Sequence, residues 1–160
     1  MKNIWRIIFV LLVCGISFAS TPSYAAEVAV VDVASVIDSS LPGKAGQKYI
    51  DKAKSDLEAE LDRYVKGLAG TVDKQALASR KHAEIAERFN QEFARVSDIL
   101  LEKLREAAHS WLKNNKSGVK VLISGSSVMA VSPEADVSAD ILRLLNKVTI
   151  DFTKNVGSGR

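Results

Sequence analysis

Side chains able to do chemistry are few and scattered in this chain. Its two histidines, His82 and His109, are the only imidazoles available as a general base or neutral metal ligand. They fall on what reads as one helix, about 40 Å apart along its axis, so one chain cannot bring both to a single centre. The run His82-Ala-Glu-Ile-Ala-Glu87 lacks the second histidine that a zinc-protease helix requires. Gly118 and Gly125-Ser-Ser127 are not followed by Gly-Lys-[Ser/Thr], so they read as turns and not as a phosphate cradle. Glu58 with Asp62, and Glu84 with Arg88, stand four residues apart, the spacing of a solvated helix face. Such pairs change helix stability by only about 0.2–0.5 kcal/mol and give no buried acid site. No nucleophile, base and orienting partner share a recognisable spacing. The pattern points away from an enzyme, and neither cofactor nor metal is expected.

The elements around these residues explain their dispersal. Residues 1–25 have a basic start at Lys2 and Arg6, an apolar run from Ile7 to Ala19 and a small-residue exit, the pattern of a cleaved secretory signal peptide. Ser23 and Ala25 suit cleavage after Ala25, and Pro22 ends an apolar run shorter than the roughly 20 residues of a spanning helix. Cys14, the single cysteine, lies inside this leader, so the exported chain has no thiol or disulfide. Without the leader the charge falls from +3 to near neutrality, because Lys2 and Arg6 go with it and no acid does.

From Pro42 to Pro133 the chain contains no proline, and residues 44–116 are charged and amphipathic around one break, Gly67-Leu-Ala-Gly70. This predicts a long antiparallel helical hairpin, with helices over 44–69 and 73–115. Ile50, Ala53, Leu57, Leu61, Tyr64 and Leu68 step by three or four, as do Ile85, Phe89, Phe93, Val96, Leu100, Leu104, Ala107 and Trp111. Each set forms one stripe, and Ile99, Leu101, Ala108 and Leu112 widen the second towards its C-terminal end. Val28-Ala-Val-Val-Asp-Val33 before the hairpin and Val119-Lys-Val-Leu-Ile123 after it read as strands, with a third over 127–131. A short helix is expected over 33–39, a turn at Leu41-Pro-Gly43, and a last helix over 138–154 capped by Ser138. Lys147-Val-Thr-Ile-Asp-Phe152 leaves helix, strand and loose tail all open.

The expected fold is therefore α+β and mainly helical. A small β body, residues 26–43 and 117–154, carries a projecting arm, residues 44–116, and residues 155–160 form a flexible tail. Three short strands with open edges make a poor monomer core, which predicts oligomerisation through Val28, Val30, Val121, Ile123, Val128 and Ala130. The arm tip is basic: Arg63, Lys66, Lys74, Arg80 and Lys81 face only Asp73, a local charge of +4. Such a tip suits acidic polypeptides or anionic lipid. Export and the lack of a recognition motif argue against nucleic acid.

Glu27-Val-Ala-Val-Val-Asp-Val-Ala-Ser-Val36 after a leader, Leu41-Pro-Gly-Lys-Ala45 opening a long helix, Val119-Lys-Val-Leu-Ile-Ser124, Ser127-Val-Met-Ala-Val131 and Asp136-Val-Ser-Ala-Asp-Ile-Leu142 follow in order. This ordered set resembles the Skp/OmpH family of periplasmic chaperones over nearly the whole exported chain. The resemblance implies a homotrimer with a shared β body, whose helical arms enclose a cavity that holds unfolded outer-membrane proteins without ATP. Tyr64, Leu68, Val72, Leu77, Phe89 and Phe93 would then meet the client, and the basic tip would contact acidic clients or lipopolysaccharide. The arm looks shorter than in well-known members, and no lipopolysaccharide-binding set carries over residue by residue. The competing reading is an envelope assembly module whose hairpin binds a partner coiled coil.

Overall fold

The computed structural model describes residues 27–154. The expected leader over 1–25 and tail over 155–160 lie outside the described residues. The chain is mainly helical, with one small sheet. Its order is β1 (Val28–Val31), α1 (Val33–Ser39), α2 (Leu41–Gly67), α3 (Lys74–Asn114), β2 (Val121–Ser124) and α4 (Ser138–Leu145).

β1 and β2 run parallel, with Val28 opposite Val121 and Val31 opposite Ser124, and all three intervening helices lie between them in sequence. The alternation of a strand sets the two faces. Val31 and Leu122 turn towards the helices, where Val36, Leu104, Ala107, Ile141 and Leu145 close a core. Val28, Val121 and Ile123, on the other face, remain exposed.

The expected third strand over 127–131 is not formed. Gly125–Ser127 make a 3-10 turn and Val128 to Val131 follow without regular pairing. The β1 edge opposite β2 is already taken: Val30 bridges Asp136, and the Val137 amide donates to the Val30 carbonyl at 3.0 Å. The apolar run Val128-Met-Ala-Val131 thus has strand pattern without a partner among the described residues.

Ser40 joins α1 to α2 and is fully buried. Its hydroxyl donates to the Ile37 carbonyl at 2.8 Å and accepts from the Gly43 amide at 2.9 Å. One side chain closes the first helix and caps the second. The predicted Leu41-Pro-Gly43 turn is therefore the first turn of α2, where proline's missing N–H costs nothing. The Leu41 amide donates to Asn146 Oδ1 at 2.7 Å, which fastens α2 to the end of α4.

α2 has 27 residues and α3 has 41, so α3 outruns its neighbour. Contacts between them pair early α2 with late α3: Tyr49 meets Glu92, Glu60 meets Lys81 and Arg88, and Tyr64 meets Lys81. Gly70 takes a positive φ of 86° in the connection, a conformation that costs glycine no Cβ clash. The surplus of α3 packs on α1 and α4 through Leu104 and Ala107, with Trp111 beside them.

α4 ends at Leu145, nine residues before its predicted limit at 154. Ser138 is its first helical residue and not its cap; its hydroxyl accepts from the Asp32 amide at 2.8 Å. Val137 holds the cap position without a side-chain cap bond; Asp136 before it accepts from the Ser138 amide at 2.8 Å, and the Ser138 hydroxyl, then that amide, hold the Asp136 carboxyl below the ordinary aspartate range. Val148, Thr149 and Ile150 are β-branched and leave the helix. The chain then turns so that Phe152 is buried against Ile50, Val96 and Leu100.

Candidate functional site

Two surfaces deserve consideration, the far end of the α2–α3 pair and its near end beside the core. The far end carries four of the six predicted contact residues, and Phe89 and Phe93 lie nearer the core, Phe89 packed against the Ile50, Val96 and Leu100 cluster. Val72, in the connection, is 99% exposed, Tyr64 lies on the exposed border of α2, and Leu68 and Leu77 are half-buried where the helices converge. Phe89 is half-buried and Phe93 is 52% exposed, their ring centroids 6.4 Å apart. Leu77 and Phe93 are separated by about 24 Å of helix, so these six residues form no single pocket. They make a dispersed apolar trail along a charged surface. Between its ends, Leu57, Leu61, Ile85 and Phe89 line an apolar cleft of about 180 Å³.

Of the five predicted tip cations, Arg63, Lys66, Lys74 and Arg80 are exposed, and Arg63 donates to the Ala59 carbonyl of its own helix at 3.1 Å. Lys81 departs from the expectation of a free cation. Its ammonium lies 2.8 Å from Glu60 and 2.9 Å from Glu84, and 5.7 Å from the Tyr64 ring centroid. Arg88 completes the cluster at 2.9 Å from Glu60. The bond from Lys81, then that from Arg88, holds the Glu60 carboxyl below its ordinary range, and Glu60 in turn raises Lys81. Lys81 therefore links the two helices. The sequence signal lay in the turn: Glu60 stands before the Gly67–Gly70 break and Lys81 after it, within reach once the chain reverses there.

A second cross-helix cluster lies nearer the core and was not anticipated. Tyr49 donates its hydroxyl to Glu92 at 2.6 Å, and Arg95 donates to both oxygens of the same carboxylate at 2.6 and 2.9 Å. Arg95 chiefly, and Tyr49 after burial is counted against it, hold Glu92 ionised below its ordinary range; the Tyr49 phenol is raised mainly by that same hydrogen bond. Arg95 Nη2 also donates to the Phe152 carbonyl at 2.7 Å.

The predicted oligomerisation residues divide. Val28, Val121 and Ile123 share the exposed sheet face, while Val30 is buried beside the Asp136 bridge. Val128 is half-buried and Ala130 exposed, both outside any strand. Met129 and Val131 add exposed apolar surface in the same segment.

Among the described residues no three His, Asp or Glu side chains come together as a metal site, and no helix is long and apolar enough to cross a membrane. His82 lines the apolar cleft and His109 lies exposed on α3. Comparison with protein-family models, with curated proteins and with solved structures finds no match to this chain.

Proposed function

We propose that this protein is an exported, ATP-independent holdase that keeps unfolded outer-membrane proteins from aggregating in the periplasm. The observation that carries the reading is the dispersed apolar trail of Tyr64, Val72 and Phe93, exposed among charged residues on a helix pair. A holdase needs contacts that are individually weak and jointly sufficient, so that a client is shielded and can still leave. A partner coiled coil would require an unbroken a/d seam on the outer face, and the trail is interrupted by Arg63, Lys66, Lys74 and Arg80. Those cations suit acidic stretches of a client or the phosphates of lipopolysaccharide and other anionic lipid.

The opposed order of contacts between α2 and α3 supports an antiparallel arm projecting from the sheet and core. The exposed face of Val28, Val121 and Ile123, together with the exposed Met129 and Val131, supports a homotrimer in which copies cover one another's apolar surface. In such an assembly three arms would surround a shared cavity. The resemblance to Skp/OmpH chaperones supplies the trimer and the client class, and no cofactor enters the scheme.

The test is dilution of a denatured outer-membrane β-barrel into buffer with and without the protein, following light scattering. Suppression that saturates near one assembly per client supports the reading, and unchanged aggregation at excess protein removes it. Native mass measures the assembly separately. A folded monomer at micromolar concentration would contradict the trimer.

A further inference from the structure

Phe152 is only 4% exposed although it follows a segment with neither helix nor strand. Past Val148 the segment makes one hydrogen bond to the rest of the described chain, from Arg95 Nη2 to the Phe152 carbonyl. Its other bonds, between Asp151 and Thr153, are internal. The segment is thus held by the buried Phe152 ring, by Ile150 half-buried against the same cluster, and by one main-chain oxygen.

The receiving surface is built for a ring. Tyr49 stands with its centroid 6.0 Å from that of Phe152, and Ile50, Val96 and Leu100 form the walls. Gly46 makes the space: a Cβ there would lie 3.1 Å from Leu100, 3.2 Å from Val96 and 3.3 Å from the Phe152 ring. Arg95 keeps a second donor in reserve, since its Nη1 is buried with no partner among the described residues. Gly46, Ile50, Val96 and Leu100 also line an open groove of about 480 Å³, with Phe93 among its walls.

We propose that this seat is a binding site for an aromatic residue of an extended polypeptide, filled in the resting chain by Phe152. The proposal rests on the client-holding reading and names a second contact point for the same client. What holds Phe152 is available from any unfolded chain: an aromatic ring for the apolar walls and a carbonyl for the guanidinium. The neighbouring groove gives the rest of an extended segment a path. Occupation in cis lowers the apparent affinity for an outside ring by the fraction of time the seat is filled.

The test uses a fluorescent peptide with the sequence of residues 149–154, Thr-Ile-Asp-Phe-Thr-Lys, titrated against the full chain and its F152A variant by anisotropy. The expected result is saturable capture by F152A, at least about tenfold tighter than by the unaltered chain, and lost when the peptide's phenylalanine is alanine. F152L, which keeps the core filled, should bind with intermediate affinity. Equal affinity for F152A and the unaltered chain, or no capture by F152A while its helical circular dichroism is unchanged, overturns the proposal. Loss of helical signal in both variants also overturns it, since Phe152 would then be an obligate part of the core. Peptide capture without suppression of barrel aggregation would keep the seat and remove the holdase reading; suppression without capture would do the reverse.

Discussion

The two ends of the α2–α3 pair follow one amphipathic pattern and are built to different densities. Near the core, Ile50, Val96 and Leu100 are buried, and Phe152 from outside the pair completes their packing. At the far end Leu68 and Leu77 are half-buried, Val72 is fully in solvent, and the cross-helix bonds of Glu60 with Lys81 and Arg88 hold the helices. The difference teaches that helical periodicity decides which face turns inward, while side-chain volume and a third packing partner decide how much stability results. The near end adds apolar burial to the polar links of Tyr49 and Arg95 with Glu92, while the far end relies chiefly on polar links, which leaves it free to present a surface.

The largest contrast should come from truncating side chains at the two ends. Ile141→Ala, at a site with no exposure in the core formed with Val31, Val36, Leu104 and Leu145, is expected to cost about 3 kcal/mol by urea denaturation. Val72→Ala should change stability by less than about 0.5 kcal/mol. A cost for Val72→Ala comparable to that at Ile141 would break the comparison. Ile85→Ala, in the first third of α3 and buried beside the apolar stripe of α2, is expected to cost about 2 kcal/mol and to accelerate amide exchange in the outer half of the pair first. Exchange that quickens uniformly would place both ends in one cooperative unit.

Acidification should act on the polar links. Glu60 and Glu92 have folded pKa values held below the ordinary glutamate value of 4.5, so the stability they lend is present above that value. It is lost as pH falls through the lowered folded values. The melting temperature should therefore fall below about pH 4.5 in the unaltered chain, and less steeply in an E60Q/E92Q double variant. Parallel pH profiles would show that these carboxylates carry no linkage.

The smallest effect on stability is expected from reversing the free tip cations. Lys66→Glu, Lys74→Glu and Arg80→Glu together should shift stability by less than about 0.5 kcal/mol, because none pairs with an acid among the described residues. The same triple variant should lose binding to vesicles containing anionic lipid in a sedimentation assay. Retained binding would remove the tip as the basic contact.

Much of this architecture was legible in the chain because helical patterns are local. The proline-free span, the Gly67–Gly70 break and the three-or-four spacing placed α2 and α3 within a few residues of their ends. Local pattern misled where the outcome depended on a partner distant in sequence. Val128 to Val131 has strand composition, but Asp136 occupies the β1 edge it would need. Lys81 looked like a tip cation because Glu60 lies twenty-one residues earlier and meets it only once the helices pair. Phe152 was undecidable because its burial depends on Gly46 and Arg95, both far away in sequence. The apolar trail at the far end was legible residue by residue; its dispersion was not, since that follows from helix rise and packing together.

The central claim is that the far end of the helix pair meets an unfolded client while the core beneath it stays unchanged. Hydrogen exchange of the protein alone and with a denaturant-diluted outer-membrane β-barrel tests this most directly. The account predicts added protection over Tyr64 to Leu77 and around Phe93, with no change at Ile141 or Leu145. No protection at the far end, or protection confined to β1 and β2, would contradict it.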